Sequence, residues 1–363
     1  MRNALIVIVS AVALCACTAT EEKTTIITWQ ERTSLPEAVT NNAVASVQVD
    51  SVWHIYSFLG LGEGKTHADI HNKAFRYNLQ EDRWTRIEDV PGPARLAATA
   101  ETVGDRIYLF GGYTVAADGS EETIGSVYRF DPSEESYQEM EPIPVPVDDA
   151  VSMVHKDRYI YLVSGWHDDG NVDNVQVYDT RDDSWDQATP KKGSPVFGHA
   201  GGIARGYLFS ADGVKSLSGS QGQREFEMTP QIWIGAIGRY DAKAINWSQV
   251  SFHPGDPKYR MAATGFGDLI VFAGGTTTPY NYNGMGYNGE PAEPDSTIFA
   301  FDVEAYKWKQ VGYQKVATMD HRGLVKADDW LYIVGGMKSD QTVSDGLYRF
   351  TFSPEDLPSD DTE

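Results

Sequence analysis

The sequence is short of cysteine, of long apolar runs and of positive charge, and each shortage closes a route. Cys15 and Cys17 are the two cysteines of the 363 residues, and both lie at the start of the chain. The remainder therefore has no disulfide, no thiolate metal site and no cysteine nucleophile. The apolar run from Ala4 to Leu14 is too short to cross a bilayer, and nothing later is long enough to be a transmembrane helix. Lysine and arginine number 30 against 52 aspartates and glutamates, a net charge of -22 that culminates in an acidic tail from Ser353 to Glu363. That balance argues against nucleic acid or anionic headgroups as partners and favours solubility. No serine sits in a Gly-x-Ser-x-Gly elbow, which removes one form of hydrolase.

What is present begins with a leader. Arg2, the Ala4–Leu14 run and Leu14-Cys15-Ala16-Cys17-Thr18 have the order of a secretory signal. A residue such as Leu14 three before a cysteine, with Ala16 directly before it, resembles the bacterial lipobox. The resemblance implies cleavage after residue 16, lipidation of Cys17, a tether over residues 17–24 and a lipid-anchored, exported protein. Thr18 stands where an aspartate would imply retention at the inner membrane, so the outer membrane is the expected address. An ordinary signal peptide cut near Ala16 is the alternative.

The body of the chain repeats. An aromatic followed by Asp or Asn recurs as Tyr77-Asn78, Phe130-Asp131, Tyr178-Asp179, Tyr240-Asp241 and Phe301-Asp302, and seven residues beyond each aromatic stand Trp84, Tyr137, Trp185, Trp247 and Trp308. The spacing predicts a strand, a tight turn begun by the carboxylate or amide, and a return strand. Apolar strands ending in small residues precede these pairs: Phe58-Leu59-Gly60, Phe110-Gly111-Gly112, Val163-Ser164-Gly165, Phe209-Ser210-Ala211, Ala273-Gly274-Gly275 and Val334-Gly335-Gly336.

A double glycine, a Tyr-Asp and a Trp in each unit resemble the kelch family, whose units are four-stranded blades of a β-propeller. The resemblance covers nearly the whole chain after the leader. It implies an all-β, six-bladed kelch β-propeller over residues 25–352. Units 1, 3 and 4 lack the double glycine, and unit 2 has Tyr137 for Trp. The sixth unit stops after Phe352 without an outer strand, whereas Thr25–Gln30 has that strand's composition and includes Trp29. The N-terminal strand is therefore expected to close the last blade and remove the exposed edges.

Four antiparallel strands, a to d, put the b–c loops and d–a connections on one face. The longest b–c loops are expected in blades 4 and 5, from Asp212 to about Trp233 and from Thr276 to about Ser296. Tyr280, Tyr282, Asn283 and Tyr287 in the second suit a polar ligand, since tyrosine faces stack on sugar rings and amides bond hydroxyls. A loop folded only on itself is the alternative. Just before strand a, comparable positions carry Arg95, Asp149, His199, Arg260 and Arg322, with His321 beside the last. Arginines around a mouth would focus positive charge on a carboxylate or phosphate. Alternatively each pairs with an acid and ties blades together.

No cofactor is expected. His67 and His71 flank Asp69 at a spacing that suits zinc on a helix, but they are expected in a loop. Asp168, Asp169, Asn171 and Asp173 lack a calcium-loop pattern. Galactose oxidase, a kelch propeller with a copper radical site, needs a cysteine that this chain does not have. The resemblance also extends to N-acetylneuraminate epimerase, an exported kelch propeller. Ring opening of a sugar there would call on Glu225, Glu227 or His321, with Arg224, Arg260 or Arg322 for the substrate carboxylate. The leading expectation is a binding module for a saccharide, an anionic small molecule or another envelope protein, and a sugar mutarotase or epimerase is the alternative.

Overall fold

A computed structural model describes residues 27–218 and 224–357. Cys17, the leader and the whole tether lie outside them, as does the end of the acidic tail. Six four-stranded antiparallel sheets are arranged as a six-bladed propeller. Strands a to d run over 43–49, 52–61, 70–78 and 83–87 in blade 1, and 99–103, 106–110, 127–131 and 136–140 in blade 2. They run over 151–155, 159–163, 175–179 and 184–187 in blade 3, and 200–204, 207–211, 232–237 and 245–250 in blade 4. Blade 5 has 262–266, 269–273, 297–302 and 307–313, and blade 6 has 325–327, 330–334, 347–351 and, as its outer strand, 28–32.

The closing strand pairs Trp29 with Phe350 in register. Trp29 is buried and stacks 6.0 Å from Phe350 and 5.7 Å from Tyr348. Head and tail of the ring therefore share one sheet, as the missing outer strand of the sixth unit predicts.

The core is divided rather than central. Six apolar layers lie between successive blades, the last joining Tyr332 and Val334 of blade 6 to Ile55 and Tyr77 of blade 1. A seventh, including Tyr113, Phe197, Tyr259 and Tyr280, lies beneath the b–c inserts. The repeated tryptophans tie the layers, because the indoles of Trp84, Trp185, Trp247 and Trp308 donate to the carbonyls of Thr33, Glu141, Thr189 and Ser251. Tyr137 does the same to Glu88, which is why it substitutes for Trp.

Two details of the repeat differ from the sequence reading. Tyr77, Phe130, Tyr178 and Phe301 sit directly opposite their partners seven residues on. In blade 4, Trp247 instead faces Gly235, and Tyr240 is exposed in a longer turn. A side chain on Gly235 would meet the Trp247 ring at 2.9 Å, so the indole occupies that space itself. Strand b of blade 4 ends at Ala211, and the double-glycine position follows it at Asp212-Gly213 rather than falling on Ser210-Ala211. Asp212-Gly213 has positive φ at both residues, like Leu59-Gly60, Gly111-Gly112, Ser164-Gly165, Gly274-Gly275 and Gly335-Gly336. The conformation of the double glycine is thus kept in all six blades, and its second member is always glycine. At Gly165, for example, φ is +110° and a Cβ would stand 2.7 Å from the carbonyl oxygen of Asp148.

The second glycines form a belt. The amides of Gly60, Gly112, Gly165, Gly213, Gly275 and Gly336 donate to the carbonyls of Arg95, Val147, Val196, Lys258, Thr318 and Val39, each on the chain entering the next blade. Nearer the axis a second belt links Asn41, Ala97, Asp149, Gly198, Arg260 and Asp320. All six have φ between 50° and 69°. Asn41 N donates to Asp320 O, Ala97 N to Asn41 O, Asp149 N to Ala97 O, Gly198 N to Asp149 O and Arg260 N to Gly198 O. The last link passes from His321 N to Arg260 O.

Candidate functional site

That inner belt corrects the alignment of the basic positions. Arg260 and Asp149 are true equivalents, but Arg95 stands two residues before its ring position, Ala97. Arg322 stands two after Asp320, and His199 one after Gly198. The similarity of Arg95-Leu-Ala-Ala-Thr to Arg260-Met-Ala-Ala-Thr arises from small residues that every strand a needs where six strands converge.

The arginines of the mouth are also partnered. Arg260 Nη2 donates to Asp149 Oδ2 at 2.6 Å and its Nη1 to Asp320 Oδ1 at 2.9 Å, with all three side chains buried. Arg322 bonds the other oxygen of Asp149 across the ring, and its Nε donates to Asn41 Oδ1 at 2.8 Å. Thr40 and Tyr280 hydroxyls complete Asp320 at 2.6 and 3.1 Å. The Arg260 guanidinium lies 4.7 Å from the Tyr259 ring centre and 5.1 Å from that of Tyr280. Two cations and two anions cancel in a plug over the axis, so the expected positive focus for an anion is not formed there. Burial disfavours charge on Asp149, but Arg260 and Arg322 outweigh it and hold its carboxyl below the usual range. Arg95 is buried between blades 1 and 2 instead, donating to Ser126 at 3.1 Å and facing the Tyr128 ring.

Beneath the plug, the six inner strands line an axial channel of about 270 Å³. His199 and His321 border it, and burial pulls their imidazoles down to about 3 and about 4, so both are neutral near pH 7. His321 Nε2 lies 2.9 Å from the Thr318 hydroxyl, and neither histidine reaches the pocket described next. Glu101, which the sequence reading missed, lines the channel, accepts from Ser152 at 2.8 Å and is pushed by burial up to about 7.

A separate pocket of about 140 Å³ opens off the axis among the inserts of four consecutive blades. Short hairpins supply it: 113–115 with 121–123 in blade 2, 166–167 with 170–171 in blade 3, and 214–218 with 224–228 in blade 4. Blade 5 adds the folded loop carrying Asn281, Tyr282 and Tyr287. Its walls are Tyr113, Trp166, Phe197, Phe226, Tyr282 and Tyr287. Phe226 stacks on Tyr287 at 4.0 Å, fastening the blade 4 hairpin to the blade 5 loop. Polar groups are Glu121, Asp148, Asp149, Arg224, Arg260 and Asn281.

Of the expected ligand-binding residues, Arg224, Arg260, Tyr282 and Tyr287 line this pocket. Tyr280 is wholly buried below it, and Asn283 accepts from Met285 N within its own loop. The loop is internally bonded, with Tyr287 N donating to Pro279 O and Ala292 N to Gly284 O. Glu225 and Glu227 are exposed and turned away, because strand alternation sends Arg224, Phe226 and Met228 inward. Arg224 reaches Asp169 at 2.8 Å and covers Trp166 at 5.1 Å.

Asp148 and Glu121 were not foreseen. Asp148 is 4% exposed and accepts a hydrogen bond from Thr123 Oγ1 at 3.0 Å, with no ion pair among the described residues. Burial, then the adjacent Asp149, push its carboxyl well above the usual range. Glu121 stands at the exposed rim, where crowding by the wall also raises it. Among the described residues no three His, Cys, Asp or Glu converge as a metal site. His67 begins a short 3₁₀ segment, His67–Asp69, and His71 lies in strand c of blade 1, so no helix face carries both.

Residues 59–345 match the family model described as the Attractin/LZTR1 beta-propeller. The chain belongs to that propeller family. Its curated relatives are kelch proteins. Human Kelch-like protein 15 is 24% identical over 278 residues, covering 75% of this chain and 43% of the relative. Human Kelch-like protein 33 is 28% identical over 161 residues, 44% of this chain and 27% of the relative. Kelch-like protein terF of Aspergillus terreus is 25% identical over 275 residues, 74% of this chain and 57% of the relative. The matches span well under two thirds of these relatives' lengths. A solved structure titled YjhT superimposes with a TM-score of 0.69 at 16% identity, covering 90% of this chain and 98% of that one, a likeness of fold alone. The propeller family model and the Kelch-like relatives agree with the six four-stranded blades in making this a kelch-type propeller.

Proposed function

We propose that this kelch-type propeller is a recognition module that holds a polar small ligand, a saccharide by preference, in the pocket among the inserts of blades 2 to 5. The observation that carries the reading is the pairing of six aromatic walls with carboxylates in one concave site. Aromatic faces stack against the apolar face of a sugar ring, and Glu121, Asp148 and Asn281 offer acceptors and donors to hydroxyls. The buried arginines at the axis hold the ring together, and the pocket beside it does the binding. The leader residues Arg2, Ala4–Leu14 and Cys17 support an exported protein anchored by lipid at the cell envelope, where a ligand or another envelope protein would be met.

A mutarotase is a second reading, favoured by Asp148 and Glu121. Two carboxyls held above their usual range beside one cavity are suited to passing a proton to and from a ring oxygen. Proton NMR of a freshly dissolved reducing sugar separates the two readings. Faster anomeric equilibration that is lost in Asp148→Asn supports the enzyme, and an unchanged rate with binding intact supports the module.

Binding itself is tested by thermal shift of the purified protein against neutral sugars, amino sugars and sugar acids. A ligand at a hundred times its dissociation constant adds about 2.7 kcal/mol. Tyr287→Ala, which removes a wall and its stacking on Phe226, is expected to abolish the shift with only a small fall in the unliganded melting temperature. Absence of any shift among all three sugar classes would overturn the saccharide reading.

A further inference from the structure

The charges of the pocket do not cancel. Arg260 is spent on Asp149 and Asp320, Arg322 on Asp149 and Asn41, and Arg224 on Asp169. Glu121 and Asp148 then remain facing the cavity, and neither has an ion pair among the described residues. Asp148 is the more telling of the two, since a buried carboxyl without a cation is costly to ionise and an incoming cation is what lets it do so. The groups that face it are Glu121, Asp149 and Arg260, and those around Glu121 are Arg260, Asp149 and Arg224. The one cation turned toward Asp148, Arg260, is already shared by two acids. Around the two carboxylates stand aromatic faces, whose negative quadrupoles also favour a positive guest.

We propose that the pocket selects a sugar bearing a free ammonium group, an amino sugar, over its neutral, N-acetylated or acidic counterparts. This rests on the saccharide reading above and names the class of sugar. The ammonium supplies the missing counter-charge between Glu121 and Asp148 while the ring lies against Tyr287 and Phe226. A sugar acid would bring a third carboxylate to the same place and is rejected.

Isothermal titration of the purified protein near pH 7 with glucosamine, glucose, N-acetylglucosamine and glucuronate tests this. Glucosamine is expected to bind at least about ten-fold more tightly than the other three, equivalent to about 1.4 kcal/mol. Glu121→Gln, at the exposed rim, is expected to reduce that preference several-fold with the fold intact, and Asp148→Asn to remove it. Should Asp148→Asn fail to fold, Glu121→Gln still decides the matter. Equal or tighter binding of glucose, N-acetylglucosamine or glucuronate overturns the ammonium inference and leaves the saccharide reading standing. Binding of none of the four overturns both. A glucosamine preference unchanged in Glu121→Gln overturns the assignment to this pocket.

Discussion

The axis of the propeller and the pocket beside it draw on the same few side chains, arginine, aspartate and tyrosine, and use them oppositely. At the axis Arg260 and Arg322 are matched by Asp149 and Asp320, with Thr40 and Asn41 taking part, and their position on the belt of main-chain hydrogen bonds fixes the entries of blades 3, 5, 6 and 1 together. A few ångströms away, Asp148, the chain neighbour of Asp149, has no cation of its own. The chain turns through positive φ at Asp149, whose carboxylate closes the ring, while the carboxyl of Asp148 just before it is left to the cavity. Charge that is matched within the protein stabilises it, and charge left unmatched in a concave site is available to a guest.

The comparison is broken most severely by removing one partner at the axis. Asp149→Ala removes the acid shared by two buried guanidinium groups and leaves them a single carboxylate, Asp320, and denaturant unfolding is expected to show a loss of about 3–5 kcal/mol. A smaller loss is expected where the pocket's backbone meets the ring. In Gly165→Ala a Cβ is forced against the Asp148 carbonyl at positive φ, which costs about 1–3 kcal/mol.

A third polar pair sharpens the contrast, because it lies between blades and can be switched by pH. His253 Nε2 is 2.6 Å from Asp212 Oδ2, with both side chains buried. Burial pulls the imidazole down, but the Asp212 hydrogen bond and charge outweigh it and raise it above 6.5. A raised value means that its contribution is complete below the unfolded value near 6.5 and is lost as pH rises through the folded one. Unfolding midpoints should therefore fall from pH 6 toward pH 9 in the native protein, and this component of the slope should vanish in His253→Gln. The smallest effect is expected at the pocket rim, where Arg224→Ala removes a half-exposed ion pair and should change stability by about 0.5 kcal/mol or less.

Much of this frame is legible in the residues, because turns and strands are local. Asp131 accepts from Ser133 N and Glu134 N, and Asp302 from Glu304 N and Ala305 N, the turn chemistry that the repeated Asp announces. The missing outer strand of the sixth unit likewise points to Trp29. The register of the mouth is harder to see, since small residues before each strand a allow Arg95 to be matched to Arg260 two positions out. At Tyr240, an aromatic seven residues before Trp247 mimics the repeat although the strand partner is Gly235. The pocket is the least legible part, because four inserts from separate blades converge in space and not in sequence. One signal was available: Tyr113 and Trp166 directly follow the second glycine of their units, at the position filled by Leu61, Val214, Thr276 and Met337 elsewhere. Asp148, beside an aspartate that does something else, gave none.

The claim that the axial arginines are structural is tested most directly by a double-mutant cycle on Arg322 and Asp149, read by denaturant unfolding without ligand. A pair that clamps the ring should show a coupling energy of about 2–3 kcal/mol, with each single variant less stable than the native protein. Coupling below about 0.5 kcal/mol, with Arg322→Ala as stable as the native protein, would mean that the arginine is free for a ligand and would contradict the account.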